Sequence, residues 1–599
     1  MTPLKNEDDE ITIDNFADIV DKDSWAEFMP KGVTKQVFRK FKKYYEADIF
    51  REAGKRIRSM ARAADNLTVE DRIERISSIF NTFRNPDKET VLTPWRVVNM
   101  HLGDCLGGYC FYDEQYAKML GVPRYIDGGK VTGDVYSTDS KVLEINSKSG
   151  LYPLFVAYNI YRRRVEEAKR KYGEVDRGFA LSLWDATIEQ NIFVICKTPM
   201  ARDITRRTLV GFRNTQVNAQ YYKDLIEVIK NNPATFVNEV RDGRRFWKAN
   251  NNDHMKFNAI VGNPPYQLMG AAGGNNDAPI YQDFALISTK LTNKYISLIL
   301  KANWMSPSGG RENLLKDYRI HMLQCGNISK LTLYPNSKYL FKTAEIKGGV
   351  CYYLEDKTKK QLCTFSVYEN NEMVTDVRDL ASLELIIRNP VIQGIVKKVE
   401  EINKSQNNGN VESIISNDTP FGIPSNPRTS SKTPFKVYKE NAKEHDVLLY
   451  HIENQVRKVE YVSYKDIKKN VQDIDKIKVL NTCSGGSGND PMVLGRPELA
   501  PKHSVCSQSY LYSIFSSVEE AKNFIKYIRS KFLRILVSAI KITQAAPNRV
   551  YKFVPLQDFT SQSDIDWSVS IPEIDEQLYH KYGLSDDEIS FIEKMIKPM

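Results

Sequence analysis

Short apolar segments alternate with helix-like stretches between residues 93 and 355, and this alternation constrains the fold more than any other feature. Apolar runs lie at residues 141–145, 192–196 and 258–261, and each one ends at a loop. Residues 162–171, between the first two runs, are charged and have helical spacing. Buried strands separated by helices favour a parallel, doubly wound α/β sheet.

The chain on either side of this region has a different character. Residues 1–90 begin acidic and then place Phe38, Phe41, Tyr45 and Ile49 at helical spacing, which predicts an N-terminal helical region. A polar tract and a stretch rich in Pro, Gly, Ser and Thr follow residue 404. We therefore predict a central domain over residues 91–404 and a second, mixed α/β domain over 405–599.

Composition narrows the class of protein. The formal charge of +10 suits a polyanionic partner such as double-stranded DNA, although it also suits an ordinary solvated surface. The eight cysteines form no CxxC pair, so we expect reduced thiols and no metal site. No run is long and apolar enough for a membrane span, and the acidic start does not resemble a secretory signal. A cytoplasmic, nucleoid-associated location is the expectation.

The tetrapeptide Asn263-Pro264-Pro265-Tyr266 directly follows the apolar strand that ends at Gly262. Ligands of open α/β sheets bind at the carboxyl ends of the strands, which is where this tetrapeptide lies. The Asn263 amide oxygen and the Pro264 carbonyl are two acceptors on a backbone stiffened by proline. Tyr266 offers a ring for stacking. A plain turn is the alternative, since Asn-Pro is common in turns.

This motif resembles the signature of the S-adenosylmethionine-dependent amino-methyltransferases. The motif order resembles the gamma group of N6-adenine DNA methyltransferases in type II and IIG-like restriction–modification systems. The resemblance implies a class I (Rossmann-like) methyltransferase domain and a C-terminal target-recognition domain. It also implies that the target adenine is flipped out of the DNA, and that its N6 is methylated within the grip of Asn263 and Pro264.

Segments before the motif resemble the cofactor-binding parts of that family. Thr93-Pro94 resembles the segment that closes over S-adenosylmethionine. Residues 141–150 resemble the first cofactor loop, in which Glu144, Asn146 and Gly150 are the candidate contacts.

Three positions depart from the family pattern. Asn146 stands where a small residue is usual. Lys148 stands where the loop usually has a glycine, which lets the backbone approach a ligand closely. Cys196 stands at the end of the second strand, where the family usually has an acid that holds the ribose hydroxyls.

After the motif, Tyr281 and Phe284 match the helix that packs on the sheet, so we expect them in the core. Phe341 resembles the aromatic residue that stacks on the other face of the flipped base, with ordinary core as the alternative. Basic residues interleaved with aromatics at 435–439 and 541–552, and the glycine-rich loop 484–489, are candidate DNA contacts.

No P-loop and no complete nuclease motif occurs, so a nuclease or helicase subunit of a defence system is a candidate partner. Two other functions remain open. One is a protein-glutamine methyltransferase, which the domain at 405–599 and the positive charge disfavour. The other is a DNA-binding specificity subunit with impaired cofactor binding, in line with Lys148 and Cys196 but not with the intact Asn263 motif.

Overall fold

The computed structural model describes residues 10–30, 32–83, 92–247, 254–267, 278–305, 312–342, 346–369, 371–382, 384–428, 435–485, 490–541 and 544–599. The chain divides into two compact units. Residues 1–302 and 320–383 form the first unit, and residues 303–319 and 384–599 form the second.

The described part of the N-terminal region, up to residue 83, is helical. Its α-helices are α1 (Phe16–Ile19), α2 (Lys22–Phe28), α3 (Lys35–Phe41), α4 (Ala47–Ala64) and α5 (Val69–Asn81). The predicted N-terminal helical structure is confirmed over these elements. Phe38 is buried beside Trp25, whereas Phe41, Tyr45 and Ile49 are exposed. The apolar spacing there therefore predicts the helices, but of these four residues Phe38 alone is buried.

The first unit contains a two-stranded hairpin and a nine-stranded sheet. The hairpin is β1 (Gly108–Tyr112) with β2 (Met119–Ile126). The sheet strands are β3 (Val142–Ile145), β4 (Ile192–Cys196), β5 (Asn218–Tyr221), β6 (Phe257–Gly262), β7 (Thr292–Lys301), β8 (Ile328–Tyr334), β9 (Val350–Asp356), β10 (Cys363–Glu369) and β11 (Glu372–Arg378).

The strand order in the large sheet is β11-β10-β8-β9-β7-β6-β3-β4-β5. Strands β3 to β7 are mutually parallel, and β9 runs antiparallel between β7 and β8. The chain proceeds outward from β3 to β5 and then returns to β6 on the other side of β3. This reversal opens a crevice at the carboxyl ends of β3 and β6, where ligands of such sheets bind. The predicted doubly wound, class I arrangement is confirmed.

Helices cover both faces of the sheet. The remaining helices of this region are α6 (Trp95–Leu106), α7 (Lys130–Val135), α8 (Leu151–Tyr172), α9 (Arg177–Asn191), α10 (Pro199–Val210), α11 (Leu225–Asn231), α12 (Pro233–Arg241), α13 (Tyr281–Leu291) and α14 (Glu312–Gln324).

The inner strands bury both of their faces. Val142 belongs to the core that includes residues of α6 and α8, whereas its neighbour Leu143 belongs to the core that includes residues of α11 to α13. Strands buried on both sides read as continuous apolar runs, which is why the sequence shows them clearly. Tyr281 and Phe284 of α13 are buried, as predicted.

In its described residues, the second unit has two small sheets and several helices, and it also includes residues 312–319 of α14. Its strands are β12 (Val447–Glu453), β13 (Val456–Val462), β14 (Ile477–Thr482), β15 (Glu498–Ala500), β16 (Ser504–Cys506) and β17 (Tyr510–Phe515), in the orders β13-β12-β16 and β15-β14-β17. Its helices are α15 (Pro390–Ser405), α16 (Val518–Arg529), α17 (Lys531–Ser538), α18 (Ile571–Lys581) and α19 (Asp586–Met595).

The division into units falls before α15, whereas the sequence places its boundary after residue 404, where α15 ends. Ile395 and Val399 of α15 are buried in the core that also holds Phe532 of α17. Glu588 of α19 accepts from Lys398 at 2.7 Å. Helix α15 therefore packs with the second unit. The domain limits 1–90, 91–404 and 405–599 stay predictions. Within the described residues, no helix has the length and apolarity that crossing a membrane would require.

Candidate active site

The central strands β3 and β6 bring Glu144 and Gly262 together at the crevice. Glu144 lies opposite Val261 in the parallel register. Gly262 has a φ of +149°, and a Cβ at this position would lie 3.2 Å from the Glu144 Cγ. A side chain at residue 262 would therefore press on Glu144. The glycine before the tetrapeptide lets the acid of the neighbouring strand pass close to the strand end.

Asn263 begins the tetrapeptide, and the structure orients its amide. The Asn263 Nδ2 donates a hydrogen bond to the Thr93 Oγ1 at 2.9 Å. The Asn263 Oδ1 is buried, and no described group donates to it with normal geometry. Thr93 therefore holds the donor end of the amide and leaves the acceptor end available. Both residues are candidates from the sequence, but the sequence does not predict the hydrogen bond between them.

Pro264 and Pro265 follow with trans peptide bonds. Pro264 is buried and Pro265 half-buried. Tyr266 is half-buried against the core beside the sheet, and its carbonyl accepts from the Ile280 N–H at 3.3 Å. Burial raises the pKa of the Tyr266 hydroxyl far above its usual range, and the neighbouring Asn263 side chain opposes that shift. The ring is therefore a fixed, neutral phenol next to the Asn263 amide.

The loop after β3 bends sharply between Asn146 and Gly150. Asn146 has a left-handed φ of +69°, and its N–H donates to the Ile195 carbonyl at 2.8 Å. Gly150 has a φ of +75°, and a Cβ there would lie 3.1 Å from the Thr205 Cα. Its N–H donates to the Ser147 Oγ at 3.1 Å. Gly150 is therefore required both by its conformation and by the close approach of α10.

Two acceptors of this loop region are buried without partners. The Glu144 Oε2 and the Asn146 Oδ1 accept no hydrogen bond from any described residue. Burial raises the pKa of the Glu144 carboxyl to about 8. Buried acceptors that lack donors destabilise a protein unless a ligand or water supplies them. Glu144 and Asn146 thus fit a ligand that carries hydroxyl or amino donors.

At the end of β4, the structure has Cys196 where the family usually has an acid. The Cys196 thiol is buried and lies 3.8 Å from the Thr205 hydroxyl. Burial raises its pKa above the usual range, and the carboxylates of Glu144 and Glu27 act in the same direction. Thr198 caps α10 and donates its hydroxyl to the Glu27 Oε2 at 2.5 Å. Glu27 is not predictable from the sequence, because no local signal relates α2 to this strand end.

A buried row of hydrogen-bonded side chains lies beneath the crevice, and the sequence does not predict it either. His101 of α6 contacts the Tyr152 hydroxyl through Nδ1 at 2.8 Å and the Ser297 Oγ through Nε2 at 2.9 Å. The Ser297 hydroxyl donates to the Tyr353 carbonyl at 3.0 Å. Ser297 therefore accepts from His101 Nε2–H, and Nδ1 accepts from Tyr152. Burial lowers the pKa of His101 to about 3, so the ring is neutral.

Phe341 lies in the apolar core of the first unit with an exposed fraction of 1%. Its N–H donates to the Ser337 carbonyl at 2.8 Å. The Arg96 guanidinium donates to the Tyr339 carbonyl at 2.5 Å and to the Leu340 carbonyl at 3.2 Å, which fixes the preceding turn. In this conformation the ring is part of the core. Its stacking on a flipped base stays a prediction that requires the ring to become accessible.

A group of metal-capable side chains lies at the opposite edge of the sheet. His321, Cys325 and Glu355 place their nitrogen, sulfur and oxygen atoms within 4.8 Å of one another. The His321 Nε2 lies 3.4 Å from the Glu355 Oε2. The spacing of the cysteines does not indicate this group, because its members come from a helix end and a distant strand. This group of side chains does not test the prediction that the chain has no metal site.

The candidate DNA-contacting segments of the second unit differ in exposure. Lys436 and Lys439 are exposed, and Tyr438 between them stacks on His445 at a centroid distance of 3.8 Å. Lys541 is buried instead, with an exposed fraction of 1%, and Lys552 pairs with Glu384. The interpretation of 541–552 as a basic surface stretch is therefore wrong at Lys541. Most of the glycine-rich loop, residues 486–489, lies outside the described residues, as do residues 344 and 345 after Phe341.

Comparison with known proteins places the central segment. Residues 190–341 match the family model described as Eco57I restriction-modification methylase. A protein of Mycoplasma pneumoniae, described as an uncharacterized adenine-specific methylase, is 29% identical over 208 residues. That alignment covers 33% of this chain and 48% of the relative, so it spans about half of the relative's length.

Two solved structures illustrate the range of structural similarity. The type IIL restriction-modification enzyme MmeI in complex with DNA has a TM-score of 0.47 at 9% identity, covering 76% of this chain and 73% of that one. The type IIG restriction endonuclease BpuSI has a TM-score of 0.32 at 12% identity, covering 88% of this chain and 67% of that one.

The family match includes β4, β6 and the Asn263 tetrapeptide, and it continues through β7 and β8 to Phe341. The resemblance that the motifs indicate is thus confirmed for this segment. Residues 190–341 are therefore similar to the Eco57I restriction-modification methylase family.

Proposed function

We propose that the chain is a site-specific DNA adenine N6-methyltransferase that uses S-adenosylmethionine and acts in a restriction–modification or related defence system. The observation that carries this proposal is the orientation of Asn263. Thr93 occupies the amide nitrogen at 2.9 Å, and the amide oxygen is a buried acceptor at the crevice. An asparagine held in this way is suited to accept from an amino group.

The chemistry of adenine explains why two acceptors are needed. The lone pair of N6 is delocalised into the ring, so the amino nitrogen is a weak nucleophile. Acceptors at the Asn263 Oδ1 and the Pro264 carbonyl would hold the two N–H groups and favour tetrahedral geometry at N6. Because Thr93 and the prolines fix these acceptors in advance, little reorganisation is required when the base arrives.

Glu144, Asn146 and Gly150, with Thr93 and Pro94, are the residues that would hold S-adenosylmethionine. When bound, it would supply the methyl group that replaces one hydrogen of N6. The unpartnered oxygens of Glu144 and Asn146 would accept from its hydroxyl or amino groups. Gly150 keeps the loop close to α10, and Glu144 lies beside Gly262 at the reacting end.

Tyr266 would stack on the target base after it leaves the duplex. Base pairing places N6 inside the helix, where it cannot reach both Asn263 and a methyl donor, so enzymes of this kind extrude the base. The half-buried ring of Tyr266 beside the Asn263 amide supports this role. Phe341 would act on the other face after a rearrangement of its turn.

The second unit would supply target recognition. Lys436 and Lys439 are exposed on either side of Tyr438, and such cations bind the DNA backbone. Replacing both with alanine should weaken DNA binding and lower the slope of its salt dependence by about two. Lys397→Ala/Lys404→Ala removes two exposed cations of α15 in the same unit and is the matched control.

The partners and the location follow from the proposed role. A restriction–modification enzyme works in the cytoplasm on chromosomal DNA. Because the sequence has neither a P-loop nor a complete nuclease motif, cutting or translocation would come from another chain or from a part that this sequence does not include.

Single-molecule sequencing of DNA from cells that express the chain tests this proposal. We expect N6-methyladenine in one sequence context with the wild type and none with Asn263→Ala. An unmodified genome together with no calorimetric binding of S-adenosylmethionine would instead support a specificity subunit. Methylated glutamine in cellular proteins, with unmodified DNA, would support a protein methyltransferase.

A further inference from the structure

Helix α2 of the N-terminal region lies over the ends of β4 and β5. The Met200 N–H at the start of α10 donates to the Ser24 Oγ at 3.2 Å. The Tyr221 hydroxyl at the end of β5 lies 3.5 Å from an Asp23 carboxylate oxygen. Trp25 belongs to a small core against which Met200 packs. A helix that is distant in sequence is therefore fixed at the ligand-binding edge of the sheet.

Glu27 is the residue of α2 that faces this edge. Its exposed fraction is 3%, and its Oε2 accepts from the Thr198 hydroxyl at 2.5 Å, two residues beyond the end of β4. Its Oε1 is buried, and no described residue donates to it. A carboxylate can accept about four hydrogen bonds, so this group has one protein donor where it has room for several.

The burial of this carboxylate requires a further partner. Removing a carboxylate from water costs several kcal/mol unless ion pairs or hydrogen bonds replace its hydration. No described cation pairs with Glu27. Donors for the Oε1 must therefore come from water or from a bound molecule in the crevice.

We infer that Glu27 binds the ribose hydroxyls of the cofactor, with its Oε1 accepting from the diol of the nucleoside while Thr198 holds its Oε2. This inference rests on the proposed methyltransferase function. Cys196, at the end of β4, cannot accept from a diol as a carboxylate does.

The positions of the two buried acids decide which part of the cofactor each one binds. Glu144 of β3 lies beside Gly262, directly before Asn263, so it is next to the atoms between which the methyl group moves. Glu27 lies beyond β4, which is one strand farther from β6. Adjacent strands are about 4.8 Å apart, so the two acids flank different parts of an extended ligand. The nucleoside portion, away from the sulfonium, is therefore the part that reaches Glu27.

Calorimetry with S-adenosylhomocysteine and its 2′-deoxy and 3′-deoxy analogues tests the assignment. Wild-type protein should bind the deoxy analogues less tightly than the parent compound. Glu27→Gln should bind the parent about 10- to 100-fold more weakly, which is the range for losing a hydrogen bond to a charged group. In this variant the deoxy analogues should bind nearly as well as the parent, because the hydroxyl contact is already lost.

Two further variants separate this role from a structural one. Glu74→Gln removes the same charge from an exposed site on α5 and should leave all three affinities unchanged. Glu27→Gln/Cys196→Asp places an acid at the end of β4 and should recover discrimination between the parent and the deoxy analogues. If Glu27→Gln does not fold, as judged by circular dichroism, Glu27→Asp retains the charge and should show a smaller, ribose-dependent loss.

An equal loss for the parent and both analogues in Glu27→Gln would overturn the inference and leave the proposed function intact. Failure of the wild type to bind S-adenosylhomocysteine at all would overturn both.

Discussion

The two sides of the crevice are built in different ways. On the side of β6, four consecutive residues from Asn263 to Tyr266 present the acceptors and the ring. On the side of β3 and β4, the polar groups come from separate segments. Glu144 and Asn146 follow β3, whereas Glu27 reaches the end of β4 from a helix more than 160 residues earlier in the chain. The first side is visible as a motif, and the second exists only in the fold.

This difference agrees with what each side would hold under the proposed function. An amino group needs two acceptors at a fixed separation, and consecutive backbone and side-chain atoms provide that spacing. A long, flexible ligand makes contacts over many ångströms, and each contact can come from any element near the strand ends. Departures from the family pattern at Lys148 and Cys196 are therefore weak evidence against cofactor binding, because another element can supply the contact. A change at Asn263 would be stronger evidence against methyl transfer.

The largest expected effect separates the two sides directly. Asn263→Ala removes the oriented acceptor, so methyl transfer should fall by at least about 10²–10³-fold, as it does when one preorganised group is lost. S-adenosylmethionine affinity should change little, because Thr93 and Glu144 remain. Transfer is measured by incorporation of a labelled methyl group into DNA, and affinity by calorimetry.

Asn263→Asp is the informative companion to that variant. It keeps an acceptor oxygen but loses the amide nitrogen that donates to Thr93. Partial activity in Asn263→Asp would show that acceptance drives transfer. Unchanged turnover in Asn263→Ala would exclude the base grip altogether.

The opposite pattern is expected from Glu144. At pH 9, where the Glu144 carboxyl is ionised, Glu144→Gln should weaken S-adenosylmethionine binding by about 10- to 100-fold, because a charged acceptor is lost. Binding of DNA with an unpaired target adenine should stay the same. Calorimetry and fluorescence anisotropy measure the two affinities, and weaker DNA binding would mean that the two sides are not separable.

Glu144 also gives a pH dependence that can be measured without ligand. Burial raises its pKa to about 8 from an ordinary value of 4.5, so the folded state favours the protonated acid. The wild type should therefore lose stability as the pH rises from about 5 through about 8. Glu144→Gln should remove this loss and unfold several degrees higher than the wild type at pH 9, with little difference at pH 5. A parallel pH profile of the two melting temperatures would contradict the assignment.

Tyr266 tests the base side with a smaller effect. Tyr266→Ala should weaken binding of DNA with an unpaired target by about 5- to 100-fold, since stacking contributes roughly 1–3 kcal/mol per base. Tyr266→Phe should be mild because the ring is retained. A 2-aminopurine at the target position should brighten on binding as it unstacks. Equal affinity for paired and unpaired targets, with a silent Tyr266→Ala, would exclude the stacking model.

The sequence predicts the fold of the first unit well, for a physical reason. Strands such as 192–196 are buried on both faces, so they appear as apolar runs between helices, and the run that ends at Gly262 locates the crevice. Asn263, Thr93 and Gly150 are candidates from the sequence because each lies in a local pattern. Their contacts were not, because the hydrogen bond between Thr93 and Asn263 spans 170 residues.

The rest of the site depends on long-range packing. His101 looks like any helix residue until α6 places it between Tyr152 and Ser297, and Glu27 looks like part of an acidic, solvated segment until α2 docks on α10. The same limit explains Lys541, which is near aromatics in sequence but is buried in the structure. The division of units before α15 also depends on packing, because the proline-rich stretch marks where the helix ends rather than what it packs against.

The smallest effect is expected from the buried hydrogen-bonded side chains Tyr152, His101 and Ser297, which lie under both sides of the crevice. Tyr152 is close enough to Glu144 and Tyr266 for both to influence its hydroxyl, so it is common to the two halves of the crevice. Tyr152→Phe removes the donor to His101 Nδ1 and leaves a buried acceptor unsatisfied, which should cost about 1–3 kcal/mol in the free energy of unfolding. Denaturant titration measures this cost.

Tyr136→Phe is the matched control, because its buried hydroxyl makes only a 3.4 Å contact with the Gly107 carbonyl and should matter less. Because the ring of Tyr152 stays in place, both ligand affinities should change less than about threefold. A selective loss of S-adenosylmethionine binding alone would assign Tyr152 to the cofactor side. A loss on both sides that exceeds the loss of stability would instead show that the hydrogen-bonded row through His101 couples them.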